Sequence, residues 1–211
     1  MALRAVDCSA AGSAPLPCVP PPCTFFFLSG ERELAALALG LLGKSRMMLR
    51  PLFLLAALTL LSACASPSYT YRYVPGKTAQ KVGHYAVAPP EAPPAVQAAI
   101  AAGNRIAGLP YCYGAGHGAG EDAAYDCSGA ASYVLRGAGR LGEAETSASF
   151  RGFGEPGPGE WITIYAKKGH VFMSVAGLRY DTGWTDGPKG PQWTMRDRPA
   201  DGCVLRHPVG L

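Results

Sequence analysis

Between Pro94 and Ala107 the apolar residues Val96, Ala99, Ile100 and Ile106 recur on one side at helical spacing, and Gly108 closes the run. The pattern predicts an amphipathic helix. A second helix is expected to open at Asp126-Cys127-Ser128 and run to about Ala138, with Gly137 and Gly139 near its end. The intervening Tyr111–Asp122 is Gly-rich and irregular. Beyond a long Gly/Pro loop, Leu141–Gly159, three short apolar runs read as strands: Trp161–Ala166, Val171–Ala176 and Leu178–Asp181. The last two are joined tightly at Ala176-Gly177, and Cys203–His207 is the expected final strand. Helices first and strands afterwards imply an α+β domain.

The N-terminal third is patterned differently. Arg50 precedes an apolar stretch from Leu52 to Leu61, and small residues then lead into Cys64. A charged end, an apolar middle and a small-residue cleavage site are the anatomy of an export signal, here 47–63. Leu61-Ser62-Ala63-Cys64 also resembles a bacterial lipobox. That resemblance implies lipidation of Cys64 and, with Ala65 rather than Asp after it, the outer membrane. The plainer alternatives are an ordinary secretory signal or a buried helix. A working signal stands at the front of a chain, so translation is expected to start at Met47 or Met48, with 1–46 an extension created by a misplaced start. Residues 64–94, rich in Pro, Tyr, Ser and Ala, read as a tether that leaves 95–211 as the folded domain.

Composition narrows the function classes. The 211 residues suit one ordinary domain, and 48% hydrophobic residues are enough for a packed core. A net charge of +4 without a basic block gives no support for nucleic acid as a partner. No apolar run reaches about 18 residues without interruption, which argues against a polytopic membrane protein. An exported chain lives where disulfides persist. With Cys64 lipidated, Cys112, Cys127 and Cys203 remain, an odd set in which Cys112 and Cys203 could pair and leave Cys127 free. No His/Cys spacing fits zinc, the Gly-rich loop lacks the ending of a phosphate loop, and neither metal nor organic cofactor is called for.

The chemistry is concentrated in Tyr125-Asp126-Cys127-Ser128-Gly129 before a helix and Gly169-His170-Val171 at the start of a strand. A cysteine at a helix N-terminus feels the positive end of the helix dipole, which favours the nucleophilic thiolate. A histidine on a neighbouring strand can pair with it and later protonate a leaving amine. A third polar group must fix the ring. Asp181 stands eleven residues after His170, and a tight hairpin brings its strand alongside. If both side chains point to one face, Asp181 reaches the imidazole. The blander readings are a buried structural thiol for Cys127, a satisfied core histidine for His170 and a turn carboxylate for Asp181. His117 reads as exposed or substrate-facing, His84 falls in the tether, and His207 is expected to be structural. Trp184 and Trp193 either rim a cleft or pack in the core.

These residues resemble the NlpC-type cysteine peptidases, papain-like enzymes that cut bacterial cell-wall peptides. The resemblance covers roughly Ile100–Asp181. It rests on Leu109-Pro110-Tyr111-Cys112-Tyr113-Gly114, Asp126-Cys127-Ser128-Gly129 and Gly169-His170-Val171. It implies a papain-like α+β fold with Cys127 as nucleophile, His170 as base and Asp181 as the orienting group. Tyr111 matches a pocket-shaping tyrosine, and Asp126 and Ser128 match positions that bind polar ends of stem peptides. The implied substrate is a peptidoglycan stem peptide, cut at D-γ-glutamyl-diaminopimelate or at the D-alanyl crosslink. Three features depart from the family: Asp181 where His, Asn or Gln is usual, the insert Gly116–Asp122, and Pro158-Gly159-Glu160-Trp161 before the first strand. Two other functions remain open, a catalytically inactive peptidoglycan-binding lipoprotein and a Cys–His amidase or acyltransferase. The sequence leaves the oligomeric state undetermined.

Overall fold

The structure, a computed structural model, describes residues 67–211. The expected signal 47–63, Cys64 and the 1–46 extension lie outside the described residues. Among the described residues the fold is α+β: two α-helices and an antiparallel sheet of six strands. Helix α1 spans Pro94–Ile106 and α2 spans Cys127–Gly137. The strands in chain order are β1 (Ser68–Tyr69), β2 (Gln80–Val82), β3 (Tyr85–Val87), β4 (Glu155–Pro156), β5 (Ile162–Lys167), β6 (His170–Val175), β7 (Leu178–Asp181), β8 (Gln192–Thr194), β9 (Arg198–Pro199) and β10 (Val204–His207). The main sheet runs β4-β10-β5-β6-β7-β8; β1 pairs with β9 and β2 with β3.

Each central element follows from local chemistry. Pro94 starts α1 at a position where its missing N–H costs nothing. Lys167 pairs with His170, so the β5–β6 turn is Lys168-Gly169, and Gly169 takes φ +86°. The β6–β7 turn is Ala176-Gly177 with both φ values positive, the geometry whose twist matches a hairpin. Strands β5 and β6 are mostly apolar on both sides because both faces of the sheet are covered. On one face Ile162, Ile164, Val171, Met173 and Val175 join Val96, Ile100, Val134 and Leu135 of the helices in one core. On the other, Tyr165 and Phe172 pack with Tyr69 and Ala200.

That second face corrects the expected tether. From Pro67 onward the segment is part of the fold. Tyr69 and Ala79 are buried, and Ala79 donates to the Ala176 carbonyl at 2.8 Å. Asn104 of α1 clamps Ala86 of β3 through both its amide groups, at 2.8 and 2.9 Å. Proline and tyrosine enrichment was compatible with a linker, but these aromatic rings cover a sheet face that would otherwise meet water. The short β8 was not foreseen either. It offers only three residues, yet its Trp193 is buried in the core against Tyr180.

Tyr69 is the anchor of the added layer. Its hydroxyl donates to the Gly177 carbonyl at 2.8 Å and accepts from the Arg179 N–H at 3.0 Å. Burial pushes its phenol far above the ordinary tyrosine range, so the group stays a neutral donor. Tyr69→Phe would leave a buried N–H and a buried carbonyl without partners. It should destabilise the protein by about 1–3 kcal/mol in urea unfolding, and a change within experimental error would show that the layer is not held there.

Candidate active site

Helix α2 begins against a loop that leaves no room for a side chain at its third residue. A Cβ on Gly129 would collide with the Ala115 carbonyl, so the glycine of Asp-Cys-Ser-Gly allows the loop to lie on the first helical turn. Asp126 is the N-cap. Its Oδ1 accepts from the Gly129 N–H at 2.7 Å and from Ser128 Oγ at 2.9 Å, and its Oδ2 accepts from the Gly114 N–H at 3.0 Å. The carboxylate thus joins the helix start to the loop and fixes Cys127 as the first helical residue.

His170 opens β6, at the sheet end nearest that helix start. The register Met173↔Tyr180 puts Asp181 on the same face as Phe172, and therefore as His170. His170 Nε2 lies 3.1 Å from Asp181 Oδ1. The same oxygen also accepts from the Thr182 N–H at 2.8 Å and the Gly183 N–H at 3.2 Å. A carboxylate can only accept, so Nε2 carries the hydrogen and Nδ1 is the nitrogen left for the thiol. The Cys127 thiol is close enough to the ring to act on its proton affinity. Burial works to lower the proton affinity of His170, but hydrogen bonds and charge from Asp181 and Cys127 outweigh it, and the ring is pushed above its ordinary value. Cys127, His170 and Asp181 are therefore brought to one place, with the His170–Asp181 bond formed and the thiol near enough to act on the ring.

Cys127 is only 8% exposed, so anything that reaches it must come through the cleft above it. That cleft has a volume of about 350 Å³ and is walled by Tyr111, Tyr113, His117, Asp126, Ser128, Thr146, Ser147 and Gly169. Tyr111 is tied to Tyr125, two residues before the helix, through an isolated parallel bridge. Burial, then the charges of Cys127 and Asp126, push its phenol up, so it can act there as a neutral donor. The arrangement has what thiol acyl transfer requires: a nucleophile at a helix start, an oriented imidazole, and a cleft that opens onto the nucleophile.

His117 belongs to this site. It is not simply exposed: its Nε2 stands 3.1 and 3.2 Å from the two Asp126 oxygens and 3.4 Å from Ser128 Oγ. The insert that carries it is fastened down. Gly116 donates to Asp122, Glu121 accepts from the Tyr133 hydroxyl, and Arg136 donates to the Gly118 carbonyl. Cys203 keeps a free thiol, so the Cys112–Cys203 pairing is not made. His207 holds the Gly157 carbonyl and Glu155 in the sheet, away from the cleft.

Two residues missed by sequence reasoning stand behind Asp181. Arg179 and Arg198 each donate through Nη1 to Asp181 Oδ2. Arg179 was detectable in principle: Leu178-Arg179-Tyr180-Asp181 puts a cation and an anion two residues apart on one face of a buried strand. Arg198 comes from β9, whose pairing with β1 gave no sequence signal. Among the described residues no cluster of His, Cys, Asp or Glu is arranged to hold a metal ion. Compared with known proteins, the chain matches no family model, no curated protein and no solved structure.

The raised proton affinity of His170 has a consequence for stability. The folded protein binds this proton more tightly than the unfolded chain, whose value is near 6.5. The stabilisation is full below that value and is lost as the pH rises through the higher folded value. Urea unfolding should show the stability advantage of the unaltered protein over His170→Gln shrinking as the pH rises above about 6.5. A difference independent of pH would mean that His170 does not hold its proton through Asp181 and Cys127.

Proposed function

We propose that the protein is an exported thiol peptidase of the NlpC type, with a papain-like domain that hydrolyses amide bonds in peptidoglycan stem peptides. The observation that carries the reading is the His170 ring, held at Nε2 by Asp181, with the Cys127 thiol close enough to act on its proton affinity. In this reading Nδ1 takes the thiol proton and Cys127 Sγ attacks the scissile carbonyl. His170 returns the proton to the leaving amine, and water then hydrolyses the thioester by the reverse order of proton transfers. The backbone N–H of Cys127, at the helix start, is the proposed donor to the oxyanion, with Tyr111 beside it. Asp126 and Ser128 face the stem peptide across the cleft. No metal or organic cofactor takes part.

The family resemblance supplies the substrate class and the bond, either D-γ-glutamyl-diaminopimelate or the D-alanyl crosslink. The lipobox-like Leu61–Cys64 supplies the location: a lipid on Cys64 at the periplasmic face of the outer membrane. A silent binding module would have no use for an aligned Cys–His–Asp chain, which favours the enzyme.

Digestion of purified sacculi by the full-length protein, read by mass spectrometry beside Cys127→Ala, is the direct test. New muropeptides should appear and fall by roughly 10³-fold or more in the variant. Release of equal amounts by both proteins, or none by either with sacculus binding intact, would overturn the reading. Transfer products in place of hydrolysis products would reassign the site to an acyltransferase.

A further inference from the structure

The proposed mechanism uses Asp181 only through Oδ1; its other oxygen is fully engaged by two guanidinium groups. The Arg179 side chain is completely buried, and the Asp181 side chain is too. Arg179 Nη2 donates to the Trp184 carbonyl, and its Nε is buried without a partner. The Arg198 side chain is 13% exposed; its Nη1 reaches Asp181 Oδ2 at 2.6 Å and the Gly183 carbonyl at 2.9 Å. Its guanidinium lies 4.8 Å above the Phe172 ring and 5.9 Å from that of Trp184. Such a site is costly to bury unless the charges balance, and here one carboxylate faces two cations.

A lone buried carboxylate beside an imidazole stabilises the imidazolium strongly. A ring held that tightly protonated would be slow to pass its proton to a leaving amine. Two guanidiniums on the far oxygen offset the negative charge while leaving Oδ1 free as an acceptor. We propose that Arg198, backed by Arg179, is a positioning residue that keeps Asp181 aimed at His170 while holding down the proton affinity the carboxylate would otherwise confer. The inference rests on the peptidase reading for its purpose, not for its measurement.

The groups around this pair all bear on the outcome. Cys127 approaches His170 from α2, and Asp181 from β7. Arg179 of β7 and Arg198 of β9 face Asp181. The Tyr69 ring, from β1, lies 5.8 Å from the Arg179 guanidinium. The Cys203 thiol, ahead of β10, is within electrostatic reach of Arg198, Asp181, Lys167 and Asp201. Lys167, the cross-strand partner of His170 on β5, sends its ammonium to the Asp201 carbonyl. Arg179 and Arg198 are thus the cations hydrogen-bonded to Asp181.

The test is a nuclear magnetic resonance titration of the His170 ring in the full-length protein, comparing Arg198→Gln with Arg198→Lys. Glutamine keeps a hydrogen-bond donor and removes the charge; lysine keeps the charge. Arg198→Gln should raise the titration midpoint by roughly 0.5–1 pH unit, and Arg198→Lys should leave it within about 0.3. On stem-peptide substrate, kcat of Arg198→Gln should fall with KM little changed, and lysine should restore it. Arg198→Met, which keeps a long stem over Phe172, serves if the glutamine variant does not fold, and should move the midpoint the same way. An unmoved or lowered midpoint in a folded, charge-free variant would reduce Arg198 to a structural ion pair and overturn the proposal. Absence of muropeptide release by the unaltered protein would count against the peptidase reading alone, because the ring is titrated without substrate.

Discussion

The hydrogen bond between His170 Nε2 and Asp181 Oδ1 decides which nitrogen faces Cys127. Free rotation of the ring would present either nitrogen, in either tautomer, to the thiol. With Nε2 committed, only Nδ1 is left. The rest of the fold can be read as support for that bond. The two-residue Lys168-Gly169 turn delivers His170 as the first residue of β6, and the Ala176-Gly177 turn fixes the register that sets Asp181 beside it. Asp126 holds the first turn of α2 to the loop that walls the cleft. Each device is local, and each acts on the position of one ring or one thiol.

The sheet separates the two halves of this arrangement. Helix α2 lies on the face of Val171, Met173 and Val175, whereas Asp181, Arg179 and Phe172 belong to the other, roofed by β1 and β9. His170 stands at the strand end where both faces are within reach. The nucleophile is thus anchored in the main hydrophobic core, and the orienting carboxylate in a smaller aromatic and charged layer. A substitution in that layer can disturb the imidazole without touching the helix that carries the thiol.

What was legible in the sequence is what local periodicity and turn chemistry encode. Both helices, β5, β6, β7 and β10 fall within a residue or two of their expected bounds, because apolar spacing, Pro94 and the turn glycines act over short distances. Cys127, His170 and Asp181 could be brought together on paper because a single hairpin joins the last two. Arg198 could not, since its link to Asp181 passes through a two-residue pairing of β9 with β1 across more than a hundred positions. The segment 67–94 was misread for the same reason. Its contacts are to distant strands, and its Pro-rich composition looks alike whether it is solvated or packed. His117 lay in view, but only the folded insert shows that it turns inward to Asp126.

The position of β1, only a few residues after Cys64, bears on where such a domain can work. A tether of some thirty residues would let it range across a wide gap. With a lipid on Cys64, as proposed, and β1 already paired at Ser68, the chain from the lipid to β1 can span at most about 14 Å. The cleft would then graze a thin shell of wall next to the membrane. Any tension on the lipid would be borne first by the β1–β9 pair, whose Arg198 is hydrogen-bonded to the carboxylate that aims His170.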